Sequence, residues 1–266
     1  MKTINVITSF LFCLFLFSCK KNSTNADQEP NENPLQKGLL AFYPFNGNSR
    51  DESGNGYHLS VKGAVLDKNR FNEMNRAYTF NGISDYMVIP KLLKADSLRE
   101  LTISMWVKSD ELSFGTFLSL LSKNAELCSY SLGFNNDETS YSTWHKMIYK
   151  LDPGCTTSSI FDAIGNPLNT WRHIVLVQQY IRENTIFPKY SYIQYYDGQK
   201  LKGASSDIGF EPSPVYFTQG GIIGGNNNSG NYDFNFDFFK GAIDDIRIYD
   251  RTFSDGEVLQ LFNLQQ

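Results

Sequence analysis

The sequence predicts an all-β domain made of two antiparallel sheets packed as a sandwich, with one short helix at the C-terminus. From residue 39 onward, short apolar or alternating runs are separated by Gly, Asn, Asp and Pro. In residues 101–108, Leu101, Ile103, Met105 and Val107 alternate with Thr102, Ser104, Trp106 and Lys108, as on a strand with two different faces. The chain also contains 15 Tyr, 21 Phe and 3 Trp but only 20% charged residues, a composition typical of a β-rich folded domain.

The first 18 residues have the layout of a secretory signal peptide. Lys2 supplies a positive charge, residues 10–17 form an unbroken apolar run, and Ser18 and Cys19 follow it. The apolar run is much shorter than the roughly 20 residues of a membrane-spanning helix, so we expect no permanent transmembrane segment here. The pattern predicts export from the cytoplasm.

Residues 16–19, Leu-Phe-Ser-Cys, resemble the lipobox of bacterial lipoproteins, in which the cysteine is acylated and becomes the first residue after cleavage. The resemblance implies a lipid on Cys19 and attachment to a membrane, at the bacterial outer membrane or cell surface or in the periplasm. Several acyl chains would hold the protein firmly, whereas a single chain binds only marginally. The alternative is an ordinary signal peptide with an incidental cysteine.

Residues 19–37 predict a lipidated cysteine followed by a disordered tether. Residues 20–36 consist largely of Asn, Ser, Thr, Asp, Gln, Glu and Pro, with almost nothing apolar to bury. The folded domain is then expected to occupy residues 38–266. Removing the signal peptide removes Lys2 and no acid, which changes the formal net charge from −4 to −5. Since there is no basic patch either, nucleic acid is not an expected partner.

The domain is predicted to contain a series of short strands and a terminal helix. Asp197-Gly198 is a strong two-residue hairpin signal between two strand-like runs. Ser254 and Glu257 form a capping box, and the apolar residues that follow define one helical stripe. The clearest strand candidates are residues 39–45, 77–80, 86–89, 101–107, 171–177, 190–196 and 242–249.

Four cysteines divide by their expected roles. Cys13 leaves with the signal peptide and Cys19 takes the lipid, which leaves Cys128 and Cys155. In an oxidising compartment two remaining cysteines most simply pair, and the closed loop would contribute about 3–4 kcal/mol. The alternative is two separate thiols, because the sequence does not show that they are close.

Several motifs in order resemble the laminin-G-like jelly rolls of the concanavalin A-like lectin and glucanase superfamily. The two longest are residues 38–58, continued by 77–90, and residues 239–254, with Ile-Asp-Asp-Ile-Arg-Ile-Tyr at 243–249. Residues 101–108 and 169–177 lie between them. The resemblance covers about residues 38–263 and implies a jelly-roll fold, but it fades at 124–168 and 178–189. One fold hosts many functions, so it leaves the function open.

The sequence lacks the catalytic motif that the resemblance would supply for a glucanase. Such enzymes carry Glu-x-Asp-x-x-Glu, or a version one residue longer, on one strand, so that two carboxylates flank the scissile bond. Asp110-Glu111 and Asp244-Asp245 are adjacent pairs, and Asp233, Asn235 and Asp237 suit an edge strand equally well. His58, His145 and His173 lack metal-ligand spacing, and His173 is expected to be structural. We expect a non-catalytic binding module; the alternatives are a glycoside hydrolase or lyase and a structural or adhesive protein-binding module.

The candidate ligand-binding residues are aromatic and amide side chains. The loop at 220–233 is rich in Gly and Asn, and Asn226, Asn227 and Tyr232 would bind sugar hydroxyls and stack under a ring. Trp144 is a second candidate platform for a glycan or another extracellular ligand. The alternatives are a flexible solvent loop and a core tryptophan. Trp106 and Trp171 are expected to be core residues.

The resemblance also implies a structural calcium ion where the first and last strand regions meet. The matching residues are Asn46, Asp51 and Asp244, and calcium requires six to eight oxygen ligands. On a regular strand Asp244 would share a face with Ile246 and Ile248, where an unpaired carboxylate would be costly. Asp245 would face the other way, beside Arg247. The alternative is that Asp51 caps its own turn and Asp244 only accepts hydrogen bonds.

Overall fold

The computed structural model describes one compact unit within Asn33–Gln266. The residues it describes are 33–92, 100–111, 115–121, 129–136, 141–151, 154–163, 167–181, 189–201, 220–225 and 238–264. They form two antiparallel sheets and one short C-terminal helix, so the predicted fold class is confirmed. None of the helices in these ranges has the length and apolar character needed to span a membrane.

One sheet has eight strands, and the most C-terminal strand, β15, is its organising element. β15 pairs with β6 on one edge, while its other edge is shared by β4 near its start and β1 near its end. The strands are β1 (Leu39–Tyr43), β3 (Val65–Asp67), β4 (Ala77–Asn81), β6 (Leu101–Ser109), β11 (Arg172–Ile181), β12 (Lys189–Tyr196), β13 (Gln199–Lys200) and β15 (Lys240–Tyr249), in the spatial order β13-β12-β11-β6-β15-β4-β3.

The other sheet has seven strands and includes the region where no strand was predicted. β8, β9 and β10 form an antiparallel meander at one edge, within residues 124–168, where the family resemblance fades. The strands are β2 (Ser60–Lys62), β5 (Tyr86–Ile89), β7 (Gly115–Leu121), β8 (Ser129–Asn136), β9 (Tyr141–Leu151), β10 (Gly154–Ala163) and β14 (Gly221–Ile223), in the order β10-β9-β8-β7-β14-β5-β2.

The main hydrophobic core lies between the two sheets. Alternate residues of β6, among them Ile103, Met105 and Val107, are almost fully buried there. β15 adds Ile246 and Ile248, and the opposite sheet contributes through β5, β7 and β14. Each fully buried aliphatic side chain stabilises the fold by about 1.5–3 kcal/mol, so the alternation seen in the sequence accounts for the pairing of the sheets.

A second, smaller core covers the outer face of the eight-stranded sheet. Helix α1 (Asp255–Phe262) buries Val258 and Leu261 against Val175, Tyr195 and neighbouring residues of that face. Its N-terminus has the predicted capping box between Ser254 and Glu257. Leu35 is also buried in this core, so residues 33–37, which the sequence assigned to the tether, lie against the domain.

A β-bulge in β15 changes which residues face which core. The register with β6 shifts by one residue between Asp244 and Arg247, and Asp245 has a φ of 53°. Asp244 pairs with Trp106 on the outer face, whereas Ile248 pairs with Ile103 in the main core. Asp244 therefore does not share a face with Ile246 and Ile248, and that expectation from a regular strand is wrong.

The bulge buries two aspartates, and two arginines lie against them. Arg70 lies 3.1 Å from Asp244 and 3.5 Å from Asp245, and Arg247 pairs with Asp245 as the sequence suggested. The Arg70 guanidinium also lies 4.6 Å from the ring centre of Trp106 and donates a hydrogen bond to the Leu264 carbonyl. Arg70 thus joins the loop at residues 68–76 to the bulge and to the end of α1.

Replacing Arg70 by methionine should destabilise the domain by about 3 kcal/mol or more. The side chain keeps its length, but Asp244 and Asp245 lose a shared buried partner, and broken buried ion pairs cost about 3–5 kcal/mol. The matched control is Arg76→Met in the same loop, because the Arg76–Glu73 pair is half-exposed, with side chains 42% and 45% accessible. The control should change the free energy of unfolding by less than about 1 kcal/mol. Urea unfolding of both variants measures the difference, and equal losses would contradict this role of Arg70.

Candidate functional site

The predicted ligand residue Trp144 lies on β9, in a row that crosses the seven-stranded sheet. Its backbone is paired with Gly133 of β8, and Gly133 is paired with Thr116 of β7. Neighbouring strands are about 4.8 Å apart, so the Trp144 backbone is roughly 10 Å from Thr116. Asn226, Asn227 and Tyr232 lie outside the described residues, but the residues that precede and follow them do not.

Both ends of the loop that contains Asn226, Asn227 and Tyr232 lie beside this row. Gly224 donates a hydrogen bond to the Phe117 carbonyl at 3.0 Å, and Phe239 donates one to the Gly224 carbonyl at 3.1 Å. Phe238 forms a bridge with Thr116 itself. Gly224 has a φ of 81°, and a Cβ there would collide with the Phe80 ring, so only glycine allows this close return. The fold therefore brings Trp144 and the ends of the Asn-rich loop to the same end of one sheet.

We call this end of the sandwich the rim; it comprises residues 81–85, 108–111, 167–171 and 238–240. These segments are joined by backbone contacts: Lys240 pairs with Asn81, the Asp110 amide donates to the Lys240 carbonyl at 3.1 Å, and the Asn169 amide donates to the Ser109 carbonyl at 2.7 Å. The connection from β14 to β15 starts and ends here.

The rim carries a partly exposed tryptophan and balanced charges. Lys240 pairs with Glu111 at 3.0 Å, and the Lys108 ammonium lies 5.8 Å from the ring centre of Trp171. Trp171 is half-buried, so its assignment to the core is wrong: it precedes β11 and lies in the rim instead of between the sheets. Trp106 is buried as expected, but on the outer face of the eight-stranded sheet, where its ring stacks on Phe262 with the ring centres 5.7 Å apart.

Sequence reasoning missed Lys108 and Trp171 as a pair. The sequence did contain a hint that Lys108 lies outside the main core. Lys108 shares its strand face with Trp106 and Ser104, and this face is distinct from the apolar face of the strand. What the pattern alone did not show is the pairing of β6 with β11, which places residues 107 and 172 opposite each other.

The proposed calcium ligands near the N-terminus are engaged in a hydrogen-bonded turn. Asp51 accepts backbone amide hydrogens from Phe42 and Ser53 on Oδ1 and from Tyr57 on Oδ2, each at 2.9 Å. The Asn46 side-chain oxygen accepts a hydrogen bond from Arg76 at 2.6 Å. This arrangement matches the alternative account, in which Asp51 caps its own turn.

Asp244 does not fit the same ion, because the Arg70 guanidinium occupies its Oδ2 and the bulge turns it to the outer face. Within the described ranges, no group of three or more His, Cys, Asp or Glu side chains could hold a metal ion. The three residues do not fit a calcium site in this conformation. Calcium therefore stays a prediction that rests on the resemblance alone.

The histidines and cysteines add no catalytic arrangement to the described part of the domain. His173 is buried, its Nε2 lies 2.9 Å from the Ser104 hydroxyl, and burial together with Arg70 and Arg247 lowers its pKa to about 3. His58 accepts a hydrogen bond from the Asp51 amide at 3.1 Å. Cys155 lies on β10, whereas Cys19 and Cys128 lie outside the described residues, so lipidation and the Cys128–Cys155 disulfide stay predictions.

Comparison with known proteins supports the fold through sequence and structure. A family model described as the concanavalin A-like lectin/glucanases superfamily matches residues 81–259. A search of curated proteins finds no match.

Among solved structures, domain 4 of AbnA, a GH43 extracellular arabinanase from Geobacillus stearothermophilus in complex with arabinotriose, is 18% identical. Its TM-score is 0.56, and the alignment covers 85% of this chain and 98% of that one. The binding domain of Paraclostridial Mosquitocidal Protein 1 is 18% identical with a TM-score of 0.61, over 86% of this chain and 52% of that one.

The binding domain of botulinum neurotoxin DC, in complex with rat synaptotagmin II, is 13% identical with a TM-score of 0.57. The alignment covers 86% of this chain and 52% of that one. This chain thus spans about half the length of the toxin binding domains that it matches. At these identities the likeness concerns the fold.

The buried aspartate at the bulge predicts a distinct pH dependence of stability. Burial, with the adjacent Asp245, raises the pKa of Asp244 to about 8, against the opposing effect of Arg70. The folded state therefore holds a proton that the unfolded state releases, and stability should fall as pH rises towards 8. We expect a loss of about 1 kcal/mol between pH 7 and pH 8 in urea unfolding.

Asp244→Asn should abolish this dependence, whereas Glu52→Gln, an exposed carboxylate, should leave it unchanged. Equal wild-type stability at the two pH values would contradict the raised pKa. If melting fell in chelator and recovered with calcium but not with sodium, the calcium site would be supported instead.

Proposed function

Since this chain belongs to the concanavalin A-like lectin/glucanase superfamily, we propose that it is a non-catalytic, lipid-anchored module that binds glycan or another extracellular ligand at the rim. The lipid is carried by Cys19, and the protein resides at the bacterial outer membrane or cell surface or in the periplasm. The fold by itself does not determine this function, so the proposal depends on the rim.

The observation that carries the proposal is that the backbone of Trp144 and the two ends of the Asn-rich loop lie at the same end of one sheet. The row Thr116–Gly133–Trp144 and the loop ends Gly224 and Phe238 meet at one end of the seven-stranded sheet. An aromatic face and several amide groups are the side chains that stack on sugar rings and bind their hydroxyls. Two candidates chosen independently from the sequence are thus supported as parts of one site.

Four carboxylates of the described residues are engaged with partners inside the domain, which favours binding over hydrolysis at those positions. Asp51 accepts backbone amides, Asp244 and Asp245 pair with Arg70 and Arg247, and Glu111 pairs with Lys240. A glycoside hydrolase needs a free pair that flanks the scissile bond. A hydrolase or lyase remains the alternative, and it would draw on Asp233 and Asp237 of the same loop, which lie outside the described residues.

The route of the chain supports a lipid anchor that leaves the rim accessible. Residues 34–38 lie at the opposite end of the sandwich, where Arg251 donates to the carbonyls of Pro34 at 2.8 Å and Lys37 at 2.9 Å. Strand β15 runs from Lys240 at the rim to Tyr249, beside the start of β1. Its 10 residues span roughly 30 Å, so a tether from Cys19 would enter the domain at the end away from the ligand.

Glycan binding is tested with a glycan array on the soluble domain, paired with a reducing-sugar release assay. We expect binding without release, and Trp144→Ala or Tyr232→Ala should weaken it by about 1–3 kcal/mol, on the scale of aromatic hot spots. Phe71→Ser is the control, because Phe71 is 42% exposed on the loop at residues 68–76, away from the rim. Release of reducing sugar would show that the protein is a hydrolase. If the array shows no binding and no sugar is released, recognition of a protein partner, the third possibility, is favoured.

The anchor is tested by Cys19→Ala in cells. The wild type should partition with membranes, and the variant should lose lipid modification and normal maturation, because the acylated atom is the Cys19 sulfur. Ser18→Ala is a conservative control next to the same residue and should mature normally. Membrane partitioning and maturation of Cys19→Ala like those of the wild type would show that the lipoprotein assignment is wrong.

A further inference from the structure

One cross-strand row on the outer face of the eight-stranded sheet is separate from both hydrophobic cores. Val65 of β3 pairs with Thr79 of β4, Thr79 with Ala242 of β15, and Ala242 with Lys108 of β6. The pairing of Arg172 with Val107 continues the row by one residue to Trp171, whose ring lies beside Lys108. We call these five residues the outer row.

The outer row includes two rim residues, Lys108 and Trp171, and borders the part of the face that is already covered. One row further from the rim, Trp106 and His173 are buried beneath Arg70 and Phe262. Within the outer row, Val65 is 57% exposed, and Thr79, Lys108 and Trp171 are half-buried. Only Ala242, which carries a single methyl group, is fully buried, with 1% of its surface exposed. The surface of the row is therefore lowest at Ala242, and larger side chains stand on both sides of it.

The chemistry of the outer row suits a sugar chain. Trp171 offers an indole ring, and Lys108 forms no ion pair with a carboxylate in the described part of the chain, so its ammonium is available as a donor. The Thr79 hydroxyl donates to the Gly241 carbonyl at 3.2 Å and keeps acceptor capacity. Aromatic stacking combined with a few polar groups is the usual composition of a small-molecule site.

The length of the outer row and the balance of charges around it restrict the class of ligand that it can bind. The row crosses five strands about 4.8 Å apart, a span of about 19 Å, which accommodates an oligosaccharide and exceeds a single sugar. Lys108 and Lys240 are balanced by Asp110 and Glu111 at the same end of β6 and β15. A surface with balanced charge gives no long-range attraction for an anionic polymer.

From this geometry we propose that the outer row is a binding subsite for a neutral, linear oligosaccharide that lies across the strands, with Trp171 as its stacking platform. The subsite rests on the proposed function, because it is a second point of contact for a ligand that reaches the rim. Val65 contacts the end of the oligosaccharide that lies furthest from Trp171. Lys108 donates a hydrogen bond to a sugar hydroxyl beside Trp171.

The experiment is calorimetric titration of the soluble domain with neutral arabino-, xylo- and cello-oligosaccharides and with tetragalacturonate as the anionic probe. Trp171→Ala should weaken binding of a neutral tetrasaccharide about ten-fold or more, and Trp171→Phe should retain most of it. Val65→Lys, a change at an exposed position, should weaken binding of the tetrasaccharide but not of the disaccharide. Met74→Ser is the control, since Met74 is 60% exposed on the loop at residues 68–76, away from the rim and off the row.

The affinity for the neutral tetrasaccharide should change less than about two-fold between 50 and 500 mM salt, because no net charge is neutralised. Binding of tetragalacturonate alone, with a steep loss in salt, would overturn the proposal. Wild-type affinity in both Trp171→Ala and Val65→Lys would overturn it too, and loss of binding in Trp144→Ala or Tyr232→Ala would then leave the rim site standing. If no glycan binds the wild type, the proposed function itself fails.

Discussion

The extra residue at the bulge in β15 is the constraint on which the outer half of the domain depends. On a regular strand, Ala242, Asp244, Ile246 and Ile248 would share one face, and residues 243, 245, 247 and 249 the other, so each face would mix charged and apolar side chains. The bulge instead keeps Ile243, Ile246 and Ile248 together in the core and concentrates Asp244, Asp245 and Arg247 on the other side. Two buried carboxyl groups need hydrogen-bond donors or cations beside them, and Arg247 pairs with only one of them, Asp245.

The need for a second cation explains why a loop distant in sequence closes over this face. Arg70 comes from the connection between β3 and β4, 174 residues before Asp244. Its guanidinium contacts both aspartates, the faces of Phe71 and Trp106, and the Leu264 carbonyl at the end of α1. The guanidinium thereby joins the loop, the bulge and the helix end, so that removing it would leave buried polar groups of all three without a partner.

Local features were predictable from sequence, whereas features set by pairing were not. The capping box at Ser254 and the hairpin at Asp197-Gly198 depend on residues within four positions of each other, and both are present. The face of Asp244 was mispredicted because one bulge reverses the alternation, and nothing in Ile-Asp-Asp-Ile marks where it occurs. Trp171 was assigned to the core because strand pattern gives the alternation of faces but not where a strand starts. The proximity of Trp144 to the loop ends Gly224 and Phe238 depends on the order of strands in the sheet, which no single segment encodes.

The sharing of one edge of β15 has a mechanical consequence. β1 pairs with Tyr249 to Ile246, and the chain reaches β1 from the end opposite the rim. If the protein is held by its N-terminus while a bound polymer pulls on the rim, the load runs along β1 and β15 in opposite directions. The hydrogen bonds between these two strands then resist as a group in shear, instead of opening one after another from an end. Arg251, which donates hydrogen bonds to the carbonyls of Pro34 and Lys37, adds resistance where the load would enter the fold. With an anchor at one end and a ligand at the other, this geometry would let the domain carry tension between them.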